Sequence, residues 1–271
     1  MIPGYRSVTK SHPCEICEKP DWCMISRDGD LALCARIVSG RPFGEAGHIH
    51  VLREPIKVPR QFKRRPPPPA RKRIDWKGIA TGYEDECSDL RLRKHAMQLG
   101  VSYLSLVFLY VGFSEQKQAY SYPMFDEHGR MIGIRFRNEA GRKWAYEGSR
   151  NGLFCQPDSR PNGSILITEG PTDTAAMLSL DIYTVGRASC GTGLVYLLKL
   201  CKNLHVAVLA DADGPGRRGG EKLGSGLLPV AKSVKIIEPP YSKDAREWKQ
   251  TTNRESVLAT IEAANLWTKQ L

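Results

Sequence analysis

Two hydrophobic regimes alternate along this chain. In its C-terminal part, short unbroken apolar runs occur at Ile165, Leu166 and Ile167 and at Val206, Ala207, Val208 and Leu209, and residues 182–185 and 234–238 read as two further short strands. Runs this short, without polar alternation, fit strands covered on both faces, as in a parallel sheet. Between them lie stretches with helical spacing: residues 171–180, which open on Pro171, residues 194–201, and a segment after Asp213. Proline suits a first helical turn because its missing N–H has no partner there in any case. The strand–helix order predicts a mostly parallel sheet with helices on both faces. Asn253 is the expected N-cap of a closing helix that runs to Leu266. Upstream the pattern changes. Residues 120–137 alternate as two paired strands around a turn at 126–129, and residues 24–25 and 31–33 form a hairpin around residues 26–30. Residues 85–99 read as a helix whose uneven apolar face is Leu90, Leu92, His95, Ala96 and Leu99.

The strands carry chemistry at their ends. The run at 165–167 ends in Glu169-Gly170, with Asp173 four residues after the glutamate, and the run at 206–209 ends in Asp211-Ala-Asp213. The carboxyl ends of neighbouring parallel strands are where open α/β sheets place their sites. Asp211 and Asp213, two apart, share one side of an extended chain. Oxygen ligands suit hard divalent cations, so this set fits Mg2+ or Mn2+. The plain alternative is that these acids only cap helix N-termini, with Asp173 doing so one turn in. Gly214, Gly216, Gly219 and Gly220 are expected to let the backbone approach a ligand closely.

Composition adds two constraints. The formal charge is +11, which favours a polyanionic partner, nucleic acid first. No stretch supports a membrane: the longest apolar run, residues 101–113, is short and interrupted by serines, and the first residues lack a signal-peptide layout. An intracellular, cytoplasmic protein with reduced thiols is therefore expected. Of eight cysteines, four cluster as Cys14-x2-Cys17-x5-Cys23-x10-Cys34. Four thiolates make a closed, structural Zn2+ site, and the metal would supply folding energy to a segment too short to bury its own core. His12, His48 and His50 are competing ligands, a set of three cysteines and one histidine is open, and an iron–sulfur cluster is a smaller alternative. Four thiolates and one Zn2+ lower the formal charge by two, from +11 to +9, so the surplus survives. Residues 55–73 hold a run of prolines among lysines and arginines, an extended linker that can also touch phosphates. Arg135 and Arg137 share one strand face, with Lys143 and Arg150 following. Such a row can hold a phosphate backbone or a triphosphate, although judged by itself an ordinary solvated face is the favoured reading.

The Glu169-Gly170, Asp173, Asp211 and Asp213 pattern resembles the Toprim domain of bacterial-type primases, type IA and II topoisomerases and some nucleases. The order Tyr-Pro-Met-Phe-Asp, Gly-Arg, Gly-Ile-Arg-Phe-Arg, a lysine, then Ser-Arg-Asn-Gly-Leu-Phe resembles the segment ahead of Toprim in DnaG-type primases. The stretch around Ser242, Lys243, Asp244 and Arg246 is similar to the last acidic position of primase Toprim domains. The resemblance covers most of the chain, most closely residues 120–244 and least closely 75–112.

That resemblance implies a zinc-binding module over residues 1–54, a basic proline-rich linker over 55–74, a basic subdomain over 75–160 and a Toprim catalytic domain over 161–271. It implies a primase that makes short RNA or mixed primers on single-stranded DNA. Glu169, Asp211 and Asp213 would be catalytic. Asp173 and Asp244 would join them in holding two Mg2+ or Mn2+ ions, with Glu169 either a ligand or a proton acceptor. Arg135, Arg137, Lys143 and Arg150 would bind nucleotide or template, and the single structural Zn2+ site would be Cys14, Cys17, Cys23 and Cys34. Implied partners are single-stranded DNA, nucleoside triphosphates and a helicase or replication protein in trans. There are departures: the family's usual zinc site is three cysteines and one histidine opening on Cys-x-x-His, the chain stops soon after the last acid, and no Gly-Lys-Ser/Thr phosphate loop occurs. An accessory primase of a phage, plasmid or mobile element fits those departures. A Toprim nuclease and a non-catalytic zinc-dependent nucleic-acid-binding protein are the alternatives, separated from primase by metal-dependent turnover.

Overall fold

The structure is a computed structural model, and it describes residues 2, 4–53 and 74–268. All of the expected linker except Ile74 lies outside the described residues. The chain forms two compact units.

The smaller unit is a four-stranded antiparallel sheet of β1 (Tyr5–Ser7), β2 (Met24–Ser26), β3 (Leu31–Cys34) and β4 (His48–Val51), in that order. The β2–β3 hairpin is the expected one. Its turn is tied by the Ser26 hydroxyl, which donates to Asp28 at 2.5 Å and accepts from the Leu31 N–H at 2.9 Å. β1 and β4 were not legible because each is only a few half-buried residues long.

The larger unit begins with three helices, α1 (Trp76–Glu86), α2 (Asp89–Leu99) and α3 (Tyr103–Phe108). The single helix expected over residues 85–99 is thus corrected to the end of one helix and the whole of another. The break falls at Ser88, whose hydroxyl caps α2 by accepting from the Arg91 N–H. Asp75 and Ser102 cap α1 and α3 in the same way.

Five strands follow: β5 (Gly112–Ser114), β6 (Ala119–Phe125), β7 (Met131–Arg137), β8 (Lys143–Ala145) and β9 (Leu153–Phe154). The β6–β7 turn is built on buried Asp126, which accepts from the N–H groups of His128 and Arg130 and pairs with the Arg130 side chain. Then come β10 (Ser164–Glu169), α4 (Pro171–Leu178), β11 (Thr184–Arg187), α5 (Leu194–Leu200), β12 (His205–Leu209), α6 (Gly214–Leu227), β13 (Ser233–Ile237), α7 (Ala245–Lys249) and α8 (Arg254–Ala263). Asn253 does cap the closing helix, which ends three residues short of Leu266.

Strands β13, β12, β10 and β11 are parallel, as the apolar runs predict. Alternate residues go to opposite faces. Leu166, Ala207 and Leu209 belong to one core cluster with residues of α4, α7 and α8, while Ile165, Ile167, Val206 and Val208 belong to a second with residues of α5 and α6. The sheet does not stop there. β11 pairs antiparallel with β9, β9 with β6, and β6 with β7, so one mixed sheet of nine strands among the described residues joins the basic strands to the acidic ones.

Glycines set how closely α4 and α6 approach this sheet. A Cβ on Gly219 or Gly220 would lie 2.6 Å from Cys190 Cβ or 2.9 Å from Ala210 Cβ, and one on Gly216 would strike the Asp211 backbone. These residues seat a helix on strands; they do not make room for a ligand, which corrects the expectation. Gly186 of β11 is tightest, because a Cβ there would collide with the Thr174 hydroxyl of α4 and lie 2.9 Å from the Gly170 carbonyl. Gly186→Ala should therefore destabilise the larger unit by about 1–3 kcal/mol. Urea denaturation followed by tryptophan fluorescence would measure it, and an unchanged midpoint would contradict this packing.

Candidate metal centre and acidic cleft

In the smaller unit the four predicted thiols converge. Cys14, Cys17, Cys23 and Cys34 have sulfur atoms within 4.8 Å of one another, the only such group of three or more His, Cys, Asp or Glu side chains among the described residues. The Cys17–Cys23 and Cys23–Cys34 separations are 3.6 and 3.9 Å. Four thiolates at roughly 2.3 Å from a zinc ion form a tetrahedron with edges of about 3.8 Å, so the residues fit Zn2+. The histidines are engaged elsewhere: His12 with the Ser11 hydroxyl, His48 with the Ser39 carbonyl and His50 with the Ile37 carbonyl. The ligand set is therefore four cysteines, with no histidine among them. The Ile37 N–H points at Cys34 Sγ at 3.3 Å, and Arg36 lies 3.7 Å from Cys23 Sγ while it pairs with Asp21. Both offset the negative charge that four thiolates would keep around a divalent ion.

In the larger unit the predicted acids line one cleft of about 460 Å³ with Arg135, Arg137, Lys143, Lys243 and Arg246. Glu169 ends β10, Asp173 lies in the first turn of α4, Asp211 follows β12, Asp213 is the N-cap of α6 and Asp244 the N-cap of α7. Capping is real for two of them: Asp213 accepts from the Gly216 N–H at 2.7 Å, and Asp244 from the Glu247 N–H at 2.8 Å. Asp173 does not cap its own helix. It accepts instead from the Arg246 N–H of α7 at 3.2 Å. Each of these bonds uses one carboxylate oxygen.

The acids repel one another. Burial first, then Asp244 and Asp211, push Asp173 up to about 7. Burial first, then Glu169, Asp244 and Asp213, push Asp211 up to about 6, against the pull of Lys143. A cluster that holds its protons this far above the ordinary carboxylate range has the excess negative charge a hard cation relieves. The donor set fits Mg2+ or Mn2+, although the five carboxylates stand farther apart than the thiolates do.

Of the predicted cations, Arg135 and Arg137 on β7 and Lys143 on the neighbouring β8 reach the cleft. Arg150 does not line it. Its backbone pairs with Ile132, near the opposite end of β7. Sequence reasoning missed Arg187. This arginine ends β11 in register with Glu169, is 3% exposed, and places Nη2 3.8 Å from the Glu169 carboxylate while Nη1 donates to the Cys190 carbonyl at 2.6 Å. The signal was a charged residue closing an apolar strand beside one that ends in glutamate; the expected strand stopped two residues short of it. Glu169 is thus a charge-paired carboxylate.

No family model matches the chain, and no curated protein does. Solved structures do. The Aquifex aeolicus primase, comprising zinc-binding and RNA polymerase domains, aligns over 98% of this chain and 80% of its own at 15% identity and a TM-score of 0.59. A DnaG primase catalytic domain bound to single-stranded DNA aligns over 70% of this chain and 78% of its own at 15% identity and TM-score 0.55. The primase fragment of the bacteriophage T7 primase-helicase protein aligns over 95% and 99% at 17% identity and TM-score 0.51. At these identities the likeness shows the fold. The chain has the architecture of a DnaG-type primase: a four-cysteine module and an α/β core built on a mixed sheet. No helix among the described residues is long and apolar enough to cross a membrane.

Two outcomes follow from the centre and the cleft. One zinc ion per chain should be found by elemental analysis. Its removal by a strong chelator, or Cys34→Ser, should abolish hydrogen-exchange protection in residues 4–53 and leave β10 and β12 protected. In the cleft, Asp173 and Asp211 have folded pKa values above their unfolded value near 3.8. The folded state then holds protons that the unfolded chain releases, so their stability contribution is full below about pH 4 and is lost as pH rises through 6 to 7. Without added divalent cations, Tm should fall between about pH 5 and pH 8, less steeply in Asp211→Asn, and Mn2+ should raise Tm more at the higher pH. A flat profile would count against the mutual repulsion.

Proposed function

We propose that this chain is a DNA-dependent primase that makes short RNA or mixed primers on single-stranded DNA by nucleotidyl transfer. The observation that carries the reading is one cleft lined by Glu169, Asp173, Asp211, Asp213 and Asp244 together with Arg135, Arg137 and Lys143. It lies in a sheet of the primase type, one of whose solved relatives holds single-stranded DNA. Residues 161–271 act as a Toprim catalytic domain and residues 75–160 as its basic subdomain.

Primer extension joins a 3′-hydroxyl to the α-phosphate of a nucleoside triphosphate, and charge gathers on the phosphate oxygens. Two Mg2+ or Mn2+ ions, when bound, supply Lewis-acid stabilisation of that charge. Asp211, Asp213, Asp244 and Asp173 would hold them, each with at least one oxygen to offer. Glu169, held by Arg187, takes a fixed position at the end of β10. It serves as a further ligand to these ions or as the proton acceptor at the reacting end. Arg135, Arg137 and Lys143 orient the triphosphate or template by charge. The zinc module engages the template, and the basic residues ahead of the core add sequence-independent phosphate contacts.

A helicase or replication protein is a further partner this reading names, and one solved relative is the primase fragment of a primase-helicase protein. The alignment with the phage primase fragment supports an accessory role in a phage, plasmid or mobile element.

The protein, incubated with single-stranded DNA, labelled ribonucleotides and Mg2+ or Mn2+, should yield short products. Glu169→Gln and Asp211→Asn should each lower the rate by at least about 100-fold without loss of fold. Cleavage of the template by the same residues would replace this reading with a nuclease. Template binding with no metal-dependent turnover would make the protein a binding module.

A further inference from the structure

The smaller unit carries an aromatic side chain that its own core does not use. Of the five tryptophans, four are buried or half-buried, and Trp22 alone is exposed, at 82%. Tryptophan has the largest side chain, and leaving it in water forgoes everything that its burial would contribute. The backbone beneath it is unfavourable as well. Trp22 has a φ of 63°, in the left-handed region that bulky side chains rarely enter. Such a conformation persists only where the surroundings on both sides over-determine it.

Trp22 has such surroundings. Ahead of it, the Arg36 guanidinium donates to the Asp21 carbonyl at 2.8 Å and to the Asp21 carboxylate at 2.6 Å. Behind it, Cys23 belongs to the four-thiol cluster, and its carbonyl accepts from the Val8 N–H at 3.1 Å. Arg36 Nη1 also lies 3.7 Å from Cys23 Sγ, so one guanidinium ties both neighbours of the tryptophan. The indole therefore stands in solvent on a backbone fixed at both ends. An aromatic face held in this way loses little freedom when a flat partner settles on it.

Charge points to the kind of partner. Residues 1–54 hold seven Lys or Arg and seven Asp or Glu, so their formal charge is zero and the whole +11 surplus lies after them. Four thiolates on one Zn2+ would lower the charge of this module by two more. A module with that balance has little electrostatic hold on a phosphate backbone. What it can offer a single strand is a surface for the bases, whose flat faces are unpaired there.

We infer that Trp22 is a stacking platform for a base of the single-stranded template, and that the zinc module holds the strand by this stack and not by its phosphates. The phosphate contacts come from the basic residues that follow residue 54. The inference rests on the primase reading for the identity of the strand.

Binding of the full chain to dye-labelled single-stranded DNA, followed by anisotropy over a series of salt concentrations, tests it. Trp22→Ala should weaken binding about tenfold, the size of one base–aromatic stack. Its logarithmic salt dependence should run parallel to that of the wild type, because losing a stack changes no counterion release. Trp22→Phe keeps an aromatic face and should recover most of the affinity. On a strand of abasic residues, wild type and Trp22→Ala should bind alike. Trp22→Asn separates binding from folding, since asparagine tolerates a positive φ. It should lose the affinity yet retain zinc against a chelator at least as long as the wild type. Equal affinity of wild type and Trp22→Ala for DNA overturns the inference and would leave the indole to a protein partner. A changed salt slope, or a loss that persists on the abasic strand, overturns it too. Zinc loss from both Trp22→Ala and Trp22→Asn would make the indole a structural residue, with the same consequence. A wild-type chain that binds no single-stranded DNA would remove the primase reading and this inference with it.

Discussion

Like-charge repulsion among carboxylates is the constraint to which the larger unit is built. Glu169, Asp173, Asp211, Asp213 and Asp244 come from three stretches of the chain and line one cleft. Such a cluster is unfavourable unless something offsets it, and the fold offsets it with groups of its own. Two of the acids receive N–H groups from the helices they cap, Asp173 receives one from α7, and Glu169 faces a buried guanidinium. None of these partners is a mobile surface lysine. Each is fixed by a helix start or by a strand, so the negative charge is stabilised in place without being cancelled.

Placement depends in turn on close packing. α6 can start directly after its cap Asp213 and lie close only because Gly216, Gly219 and Gly220 in its first turns carry no side chains, and α4 can lie against β11 only because Gly186 has no side chain. The apolar runs that read as strands form both cores at once, since alternate residues of β10 and β12 face opposite helical layers. Stability and site geometry are therefore set by the same residues. The zinc module follows a different logic: three of its four cysteines are almost fully buried and form most of its small core. There the metal-binding atoms and the hydrophobic centre coincide.

Much of this was legible in the residues. Short β-branched runs ending in acid announced β10 and β12, and the cysteine spacing announced the metal centre, because each feature is local in sequence. What stayed hidden was non-local. Leu153 and Phe154 carry no strand signal, yet they join the two halves of the sheet; the pairing is decided by β6 and β11, not by a two-residue segment. Arg187 was missed because its role comes from register with Glu169, which no spacing along the chain encodes. Arg150 was grouped with Arg135, Arg137 and Lys143 as a nucleotide- or template-binding cation through the resemblance; its backbone pairs with Ile132, and it does not line the cleft. The glycines of α6 were expected to let the backbone approach a ligand because sequence cannot say whether a bare backbone faces a ligand or a neighbouring segment of the chain.

The two-residue strand β9 also decides where this chain can change length. Leu153 sits opposite Arg187 and Phe154 opposite Gly186, while the same Arg187 sits beside Glu169. Insertions and deletions in the loops on either side of β9 would be absorbed at the surface. One extra residue within it would slip the splice by half a pleat and turn its inward side chains out, a lesion far from every acid that would still misalign them. Indels across a set of such chains should accordingly cluster on the two flanks of that dipeptide and spare the dipeptide itself.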